Sequence, residues 1–394
     1  MDEKLNPKEV AQAFQPFWDM GFKLGLVTRT LKECKNILGD EIASDMALLE
    51  MRYLGGARDL FENLKDKILK PYFTSHKGKI SSLLLQHLQE GLYSDDNSMY
   101  RVEPHLKNGV CTLRDCHRIG WLLKLLFDIR KYSEIEEKSS LRKKDIHAFS
   151  VAYDYMLSLR NELHMINGRR MDVLETASQP DIALALGHGK KNPHLFMKEF
   201  YLHANSIRNM ALALIEKTST ENNFLFEMRR KITATRLPLN LCLLDGIIYP
   251  EKSAHLKLDP TWIMQLFLQT VHTQSHLCRE LREKVRLASD SIEQSECRTI
   301  HVSAFFRNIL LAPHPIGHTI SEMHDCGFLA KFLSEFTELH CMVQYTTYHE
   351  YTADQHIILC MKSLDHISKQ QHELHSIYAG LSKAWILRLG LLLH

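Results

Sequence analysis

Apolar residues recur at helical spacing along almost the whole of this 394-residue chain, which restricts it to a mainly α fold. The pattern predicts a helix over Val10–Gly21, carrying Val10, Phe14, Phe17 and Trp18. Further helices are expected over Leu31–Leu38, over Ile42–Leu54 up to the Gly55-Gly56 stop, and over Asp59–Tyr72. Another holds Tyr153, Met156, Leu157 and Leu163 and ends at Asn167-Gly168. Phe196–Ala213, Pro260–Arg282, Ile300–Leu311 and Ile320–Leu333 complete the central set. The pattern departs from helix twice. Lys23–Thr30 reads as a short strand, and the run from Leu239 to Tyr249 reads as a β-hairpin, with Asp245-Gly246 between two apolar strands.

The C-terminal stretch carries the first candidate chemistry. Ile357, Ile358, Met361, Leu364 and Ile367 mark a helix opened by His356. The run from Ile377 to Leu393 is apolar on more than one side, as a central helix would be, and ends on His394. Two imidazoles on packed helices suit a first-row divalent metal. They equally suit two ordinary helix-terminal histidines in a chain with 23 of them.

Two basic groupings stand out upstream. In Glu103-Pro104-His105-Leu106-Lys107-Asn108-Gly109, followed by Leu113-Arg114-Asp115, Lys107 and Arg114 can contact phosphate and Asp115 can hold a metal or orient the arginine. The bland alternative is a helix N-terminus with a structural Arg–Asp pair. Arg160 and His164 share a helix face, with Arg169-Arg170 just beyond; they can grip a phosphate chain, or complement the helix dipole and pair with Asp172 and Glu175.

Composition excludes more than it assigns. The net charge of +2 gives no global attraction to nucleic acid or to a membrane surface. No stretch is long and apolar enough to span a bilayer, and the polar N-terminus has no signal-peptide core. Nine cysteines without a C-x-x-C pair point to reduced thiols and a cytoplasmic protein.

Taken together, five stretches resemble the bacterial bifunctional uridylyltransferase/uridylyl-removing enzymes that modify the nitrogen-regulatory PII protein. They are Phe17-Trp18-Asp19-Met20-Gly21 with Thr28-Arg29-Thr30-Leu31-Lys32-Glu33-Cys34, and Ala47-Leu48-Leu49-Glu50-Met51-Arg52. Next come Glu103-Pro104 to Leu113-Arg114-Asp115, and Arg160-Asn161-Glu162-Leu163-His164 with Gly168-Arg169. The last is Gln344-Tyr345 with His349-Glu350-Tyr351-Thr352-Ala353-Asp354-Gln355-His356. The resemblance implies the end of a nucleotidyltransferase palm over 1–58, a helical domain over 59–230, a hairpin and helical connector over 231–340, and the start of an all-α HD phosphohydrolase domain over 341–394. It implies Lys107, Arg114, Arg160 and Arg169 as nucleotide contacts and His356 and His394 as metal ligands, with Asp115 or Glu41 as a remaining palm carboxylate. The implied parent transfers UMP from UTP to a tyrosine of PII with Mg²⁺, and hydrolyses it off with Mn²⁺ or another divalent metal in the HD domain.

The chain also departs from the family pattern. Cys111-Thr112 replaces a glycine pair, Leu26-Val27 stands near the place of a palm His-Ser, and the family's paired transferase carboxylates are expected before residue 1. The chain is therefore expected to be a central fragment without transferase activity of its own. Two alternatives remain: an inactive helical protein-interaction module derived from the family, and a relative of the glutamine synthetase adenylyltransferases, against which the HD-like end argues.

Overall fold

The structure is a computed structural model describing residues 7–93, 98–129, 134–139, 141–188, 193–220, 230, 232–251, 255–343, 350–368 and 373–394. It forms two compact units, one of Met1–Gln86 with Trp121–Arg130, the other of His87–Gly120 with Lys131–His394. The expected mainly α fold is found, with a four-stranded sheet.

In the first unit, α1 (Pro7–Asp19) stops where Gly21 turns to a positive φ. The expected strand over Lys23–Thr30 does not form. The segment is extended and mostly exposed, and among the described residues no strand pairs with it. Thr30 instead caps α2 (Leu31–Asn36) in a reciprocal box with Glu33. α3 (Ile42–Leu49) ends earlier than the Gly55-Gly56 signal suggested. Then α4 (Arg58–Asn63), a π-helical turn (Leu64–Leu69) and α5 (Lys70–Tyr93) follow without a break.

The second unit starts on the helical pattern read from sequence. After α6 (Leu113–Phe127) and α7 (Ile135–Ser139), α8 (Lys143–Asn167) buries Ile146, Phe149, Ala152, Met156, Leu159 and Leu163 along one stripe. Gly168, in the left-handed conformation, ends it. α9 (Gln179–Ala185) is short, and α10 (Pro193–Thr220) packs along α8 with Phe196, Phe200, Ala204 and Ile207 fully buried. The phenylalanine and isoleucine side chains each contribute about 1.5–3 kcal/mol by leaving water.

The predicted hairpin is present. β1 (Thr235–Leu237), β2 (Leu241–Leu244) and β3 (Ile247–Pro250) are antiparallel neighbours. Asp245 and Gly246 both take positive φ, the two-residue turn whose twist suits a hairpin. The single helix expected over Pro260–Arg282 is in fact two. α11 (Pro260–Thr273) ends on Gln274 in the left-handed region, β4 (His276–Leu277) pairs parallel to β3, and α12 (Arg279–Ser291) begins after Cys278. No glycine or proline marks that break.

The remaining helices are α13 (Gln294–Cys297), α14 (Ile300–Leu311), α15 (Gly317–Asp325), α16 (Phe328–Phe332), α17 (Glu335–Leu339), α18 (Ala353–Ile367), α19 (His375–Ala379) and α20 (Ala384–Leu392). Gly327, at φ +72°, splits the run predicted over Ile320–Leu333. α18 packs against both α15 and α20. Asp365 of α18 accepts hydrogen bonds from the Ile316 and Gly317 amides (3.1 and 2.6 Å), satisfying orphan donors at the start of α15. Buried Arg388 of α20 donates to the carbonyls of Leu310 and Ala312 at the end of α14. All nine cysteines are unpaired, and eight are buried.

Candidate functional site

Every group described next lies in the second unit, apart from Glu41. The loop before α6 is shaped by its own side chains. Cys111 has φ +56°, a conformation that favours glycine. Its amide donates to Asp115 at 2.8 Å, and Arg118 donates to the other oxygen of Asp115 at 2.7 Å. Burial raises the Asp115 pKa above the usual carboxylate range, against the pull of Arg118. Asp115 thus holds the loop's turn, and its ion pair is with Arg118 rather than Arg114. Arg114 instead reaches Asn108 at 3.4 Å, and its amide bonds to the Lys107 carbonyl.

The end of α8 is tied to the same loop. Arg160 donates to Asp172 at 2.6 Å, and His164 lies 3.3 Å from the same oxygen. The backbone of Asp172 accepts from the Leu106 amide, and the Leu174 amide donates to the Pro104 carbonyl. The Asp172 carboxylate is held below its ordinary range: burial works against this, but the Arg160 and His164 hydrogen bonds outweigh it. Lys107, Arg114 and Arg160 therefore belong to one interlocked loop pair, while Arg169 is exposed beyond the helix end. Glu41 is exposed at the N-terminus of α3 in the first unit.

This loop also pairs with the segment that leads into α18. Val102 donates to the Glu350 carbonyl, Thr352 to the Tyr100 carbonyl, and the Arg101 guanidinium sits 5.4 Å from the centre of the Tyr351 ring. Two motifs far apart in sequence are brought side by side. Between them opens a polar cavity lined by Tyr100, Cys111, Arg208, Asp325, Gln355 and Lys362. Gln344, Tyr345 and His349 of the second motif lie outside the described residues.

Beneath this cavity runs a buried charge network. Arg208 binds Asp325 at 2.6 Å, and His324 Nε2 bonds Asp354 at 2.9 Å. His340 Nδ1 lies 3.3 Å from the same Asp354 oxygen, to which the Cys341 amide also donates. Burial alone would make His324 less basic, but Asp325 and Asp354 outweigh it and push its pKa up to about 9. Asp354 is correspondingly held well below the ordinary range, with burial again opposed by its His324 and His340 partners. Sequence reading missed this network, because its partners come from α10, α15, α17's far end and α18.

His356 opens α18, and its ring centre is 6.3 Å from that of His394. Two imidazoles on one tetrahedral ion with bonds of about 2.1 Å put their centres about 5 Å apart, so this pair would close by about an ångström to share a metal. Both rings are exposed, and Cys360 Sγ is 3.6 Å from His356 Nε2. The two imidazoles are of a donor type that such an ion takes, and its other positions are left to further ligands.

Comparison with known proteins finds one family. The family model for the GlnD PII-uridylyltransferases matches residues 81–215. Bifunctional uridylyltransferase/uridylyl-removing enzymes match along most of the chain. The one from Bradyrhizobium sp. (strain ORS 278) is 25% identical over 93% of this chain and 41% of its own length. That from Hydrogenovibrio crunogenus is 25% identical over 99% of this chain and 45% of its own, and that from Rhodopseudomonas palustris is 24% identical over 89% and 39%. The chain is a divergent relative of the PII uridylyltransferases. No solved structure matches.

The chain spans less than half the length of these curated uridylyltransferase relatives. The segment matched by the uridylyltransferase family model includes the Cys111 loop, Arg160 and Asp172, and stops before the α18 histidines, which the longer pairwise matches reach.

Proposed function

We propose that this chain is the middle of a bifunctional enzyme that transfers UMP from UTP to a tyrosine of PII and later removes it. In this reading, Lys107, Arg114, Arg160 and Arg169 supply positive charge toward the nucleotide. His356 and His394 contribute two ligands to a divalent metal, Mn²⁺ or a similar ion, whose role is to activate the water that cleaves the phosphodiester. Transfer needs Mg²⁺ held by a carboxylate pair, for which Asp115 is poorly suited, being engaged with Arg118 and the Cys111 amide. A cytoplasmic location fits the substrates, and no helix among the described residues is long and apolar enough to cross a membrane.

The observation that carries this reading is the adjacency of His356, on α18, and His394, just past α20, whose ring centres lie 6.3 Å apart. The test uses the whole reading frame in which this sequence lies, assayed for UMP transfer to PII and for UMP release from modified PII. His356→Ala and His394→Ala should each lower release at least 100-fold and leave transfer intact. Release unchanged in both variants would overturn the assignment.

One observation favours the second reading, a non-catalytic binding module. Cys111 puts a side chain where close approach of phosphate to the backbone would need glycine. That reading expects PII to bind the chain without transfer or release in the same assay.

A further inference from the structure

A second group of possible ligands lies apart from the His356–His394 pair. His276 sits on β4, the edge strand of the sheet. His318 and Glu322 sit four residues apart on α15, and so share a face. Glu322 is buried and accepts long hydrogen bonds from the Leu277 amide at 3.2 and 3.3 Å, which brings it to the strand that carries His276. The two imidazole rings meet edge to face with centres 3.9 Å apart.

The distances do not describe a hydrogen-bonded network. Glu322 Oε1 is 3.8 Å from His318 Nε2 and 4.0 Å from His276 Nδ1, beyond hydrogen-bond reach. His318 Nε2 is buried and, among the described residues, has no hydrogen-bond partner. An orphaned buried polar atom is costly and calls for an explanation. A tetrahedral ion with bonds of about 2.1 Å sets its ligand atoms about 3.4 Å apart, so Glu322 would move a few tenths of an ångström toward each imidazole, and the two ring centres, now 3.9 Å apart, would separate by about an ångström as the ion enters.

We propose that His276, His318 and Glu322 form a binding site for a zinc-class divalent metal, separate from the His356–His394 pair. Two imidazoles and one carboxylate complete three positions, and the partly exposed His276 side leaves the fourth to water. Burial lowers the pKa of both histidines and raises that of Glu322 to about 7, so the imidazoles are already in the neutral form that ligates and the metal would displace a proton from the carboxyl group. Arg282 and Lys362 act on both imidazoles and oppose a bare dication. They disfavour hard cations, whose binding is mainly electrostatic, and leave the advantage to metals with strong affinity for imidazole nitrogen. Bound metal would clamp β4 to α15, the helix whose far end carries His324 and Asp325.

The test uses the full chain, stripped of metal by a chelator and then titrated with zinc against a chromogenic competitor. One equivalent should bind tighter than micromolar, and cobalt(II) in its place should give visible absorption bands of a low-coordinate site. Zinc at about 100 times its dissociation constant should raise Tm by about 4 °C. Glu322→Gln and His318→Ala should each weaken zinc at least 100-fold and remove the cobalt bands, while the His356→Ala/His394→Ala double variant keeps both. Should His318→Ala fail to fold, Glu322→Gln decides, because it keeps the side-chain shape and an oxygen for the Leu277 amide. Zinc bound by Glu322→Gln as by the unaltered chain, or lost in the double variant alone, would overturn the proposal.

Discussion

Two groups of two imidazoles and one carboxylate lie in the same unit, and they differ in what fills them. In the first, Asp354 is within 2.9 Å of His324 and 3.3 Å of His340, and also takes the Cys341 amide. Protons already occupy the space between its members. In the second, Glu322 stands 3.8 and 4.0 Å from its two histidines, and among the described residues His318 Nε2 has no hydrogen-bond partner. The functional groups are the same, so composition cannot separate a closed network from an open site. A difference of about one ångström in donor spacing does, because a hydrogen bond needs about 3 Å and a shared ion needs room for itself.

The contrast can be broken first at its carboxylates. Asp354→Ala should cost about 3 kcal/mol, since it takes the 2.9 Å partner from buried, protonated His324 and leaves only Asp325, 4.0 Å away. Glu322→Gln in the metal-free chain should cost less than about 1 kcal/mol, because little but the Leu277 bond is disturbed. Urea unfolding of both variants measures the pair. Equal losses would mean that the second group is as closed as the first.

A smaller effect sharpens the same contrast. A Cβ on Gly317 would lie 2.8 Å from the Lys362 nitrogen and 2.9 Å from its Cα, and backbone atoms cannot move aside cheaply. Gly317→Ala should cost about 1–3 kcal/mol by pushing the first turn of α15 away from Lys362 and Asp365 of α18. It should also weaken zinc binding at neighbouring His318, with the Asp354 hydrogen bonds left in place. Zinc titration beside urea unfolding separates the two effects.

How much of this was legible in the sequence follows from the range of each interaction. The α8 stripe, its Gly168 stop and the Asp245-Gly246 hairpin are local patterns, and they formed where read. The strand over Lys23–Thr30 failed because a strand needs a partner, and local pattern cannot supply one. The break at Gln274 left no glycine or proline to read; it is enforced by β4 pairing with β3 across an intervening helix. For the site, the His356–His394 approach follows from two helices and a turn. By contrast, Asp354 with His324, and His276 with Glu322, join elements whose packing only the whole unit determines. The Arg114–Asp115 pairing fell to helix geometry. Asp115 and Arg118, three apart, face one another, whereas adjacent residues do not.

The loop pair offers a smaller and pH-dependent test. Arg160→Ala should cost about 1 kcal/mol at neutral pH, modest because Arg160 and Asp172 are each about one quarter exposed. Asp172 has a folded-state pKa below its unfolded value, so its contribution is present above the unfolded value near 4 and fades as pH falls through the folded one. The penalty of Arg160→Ala should shrink along the same descent. A penalty that held constant into acid would mean that Arg160 acts through packing alone.

The smallest expected effect concerns Cys111, where closure is achieved against backbone preference. The Cys111 amide is aimed at Asp115 only because φ is +56°, a region in which a Cβ is crowded. Comparing Cys111→Gly with Cys111→Ala removes the thiol in both and isolates the Cβ. At an ordinary buried position alanine is the more stable, whereas here glycine should be, by somewhat less than 1 kcal/mol. Urea midpoints at constant slope measure the difference. Alanine proving the more stable would show that the loop relaxes out of the left-handed region at little cost. The Asp115 hydrogen bond would then be incidental to the loop's shape, and the glycine position would carry no information about phosphate approach.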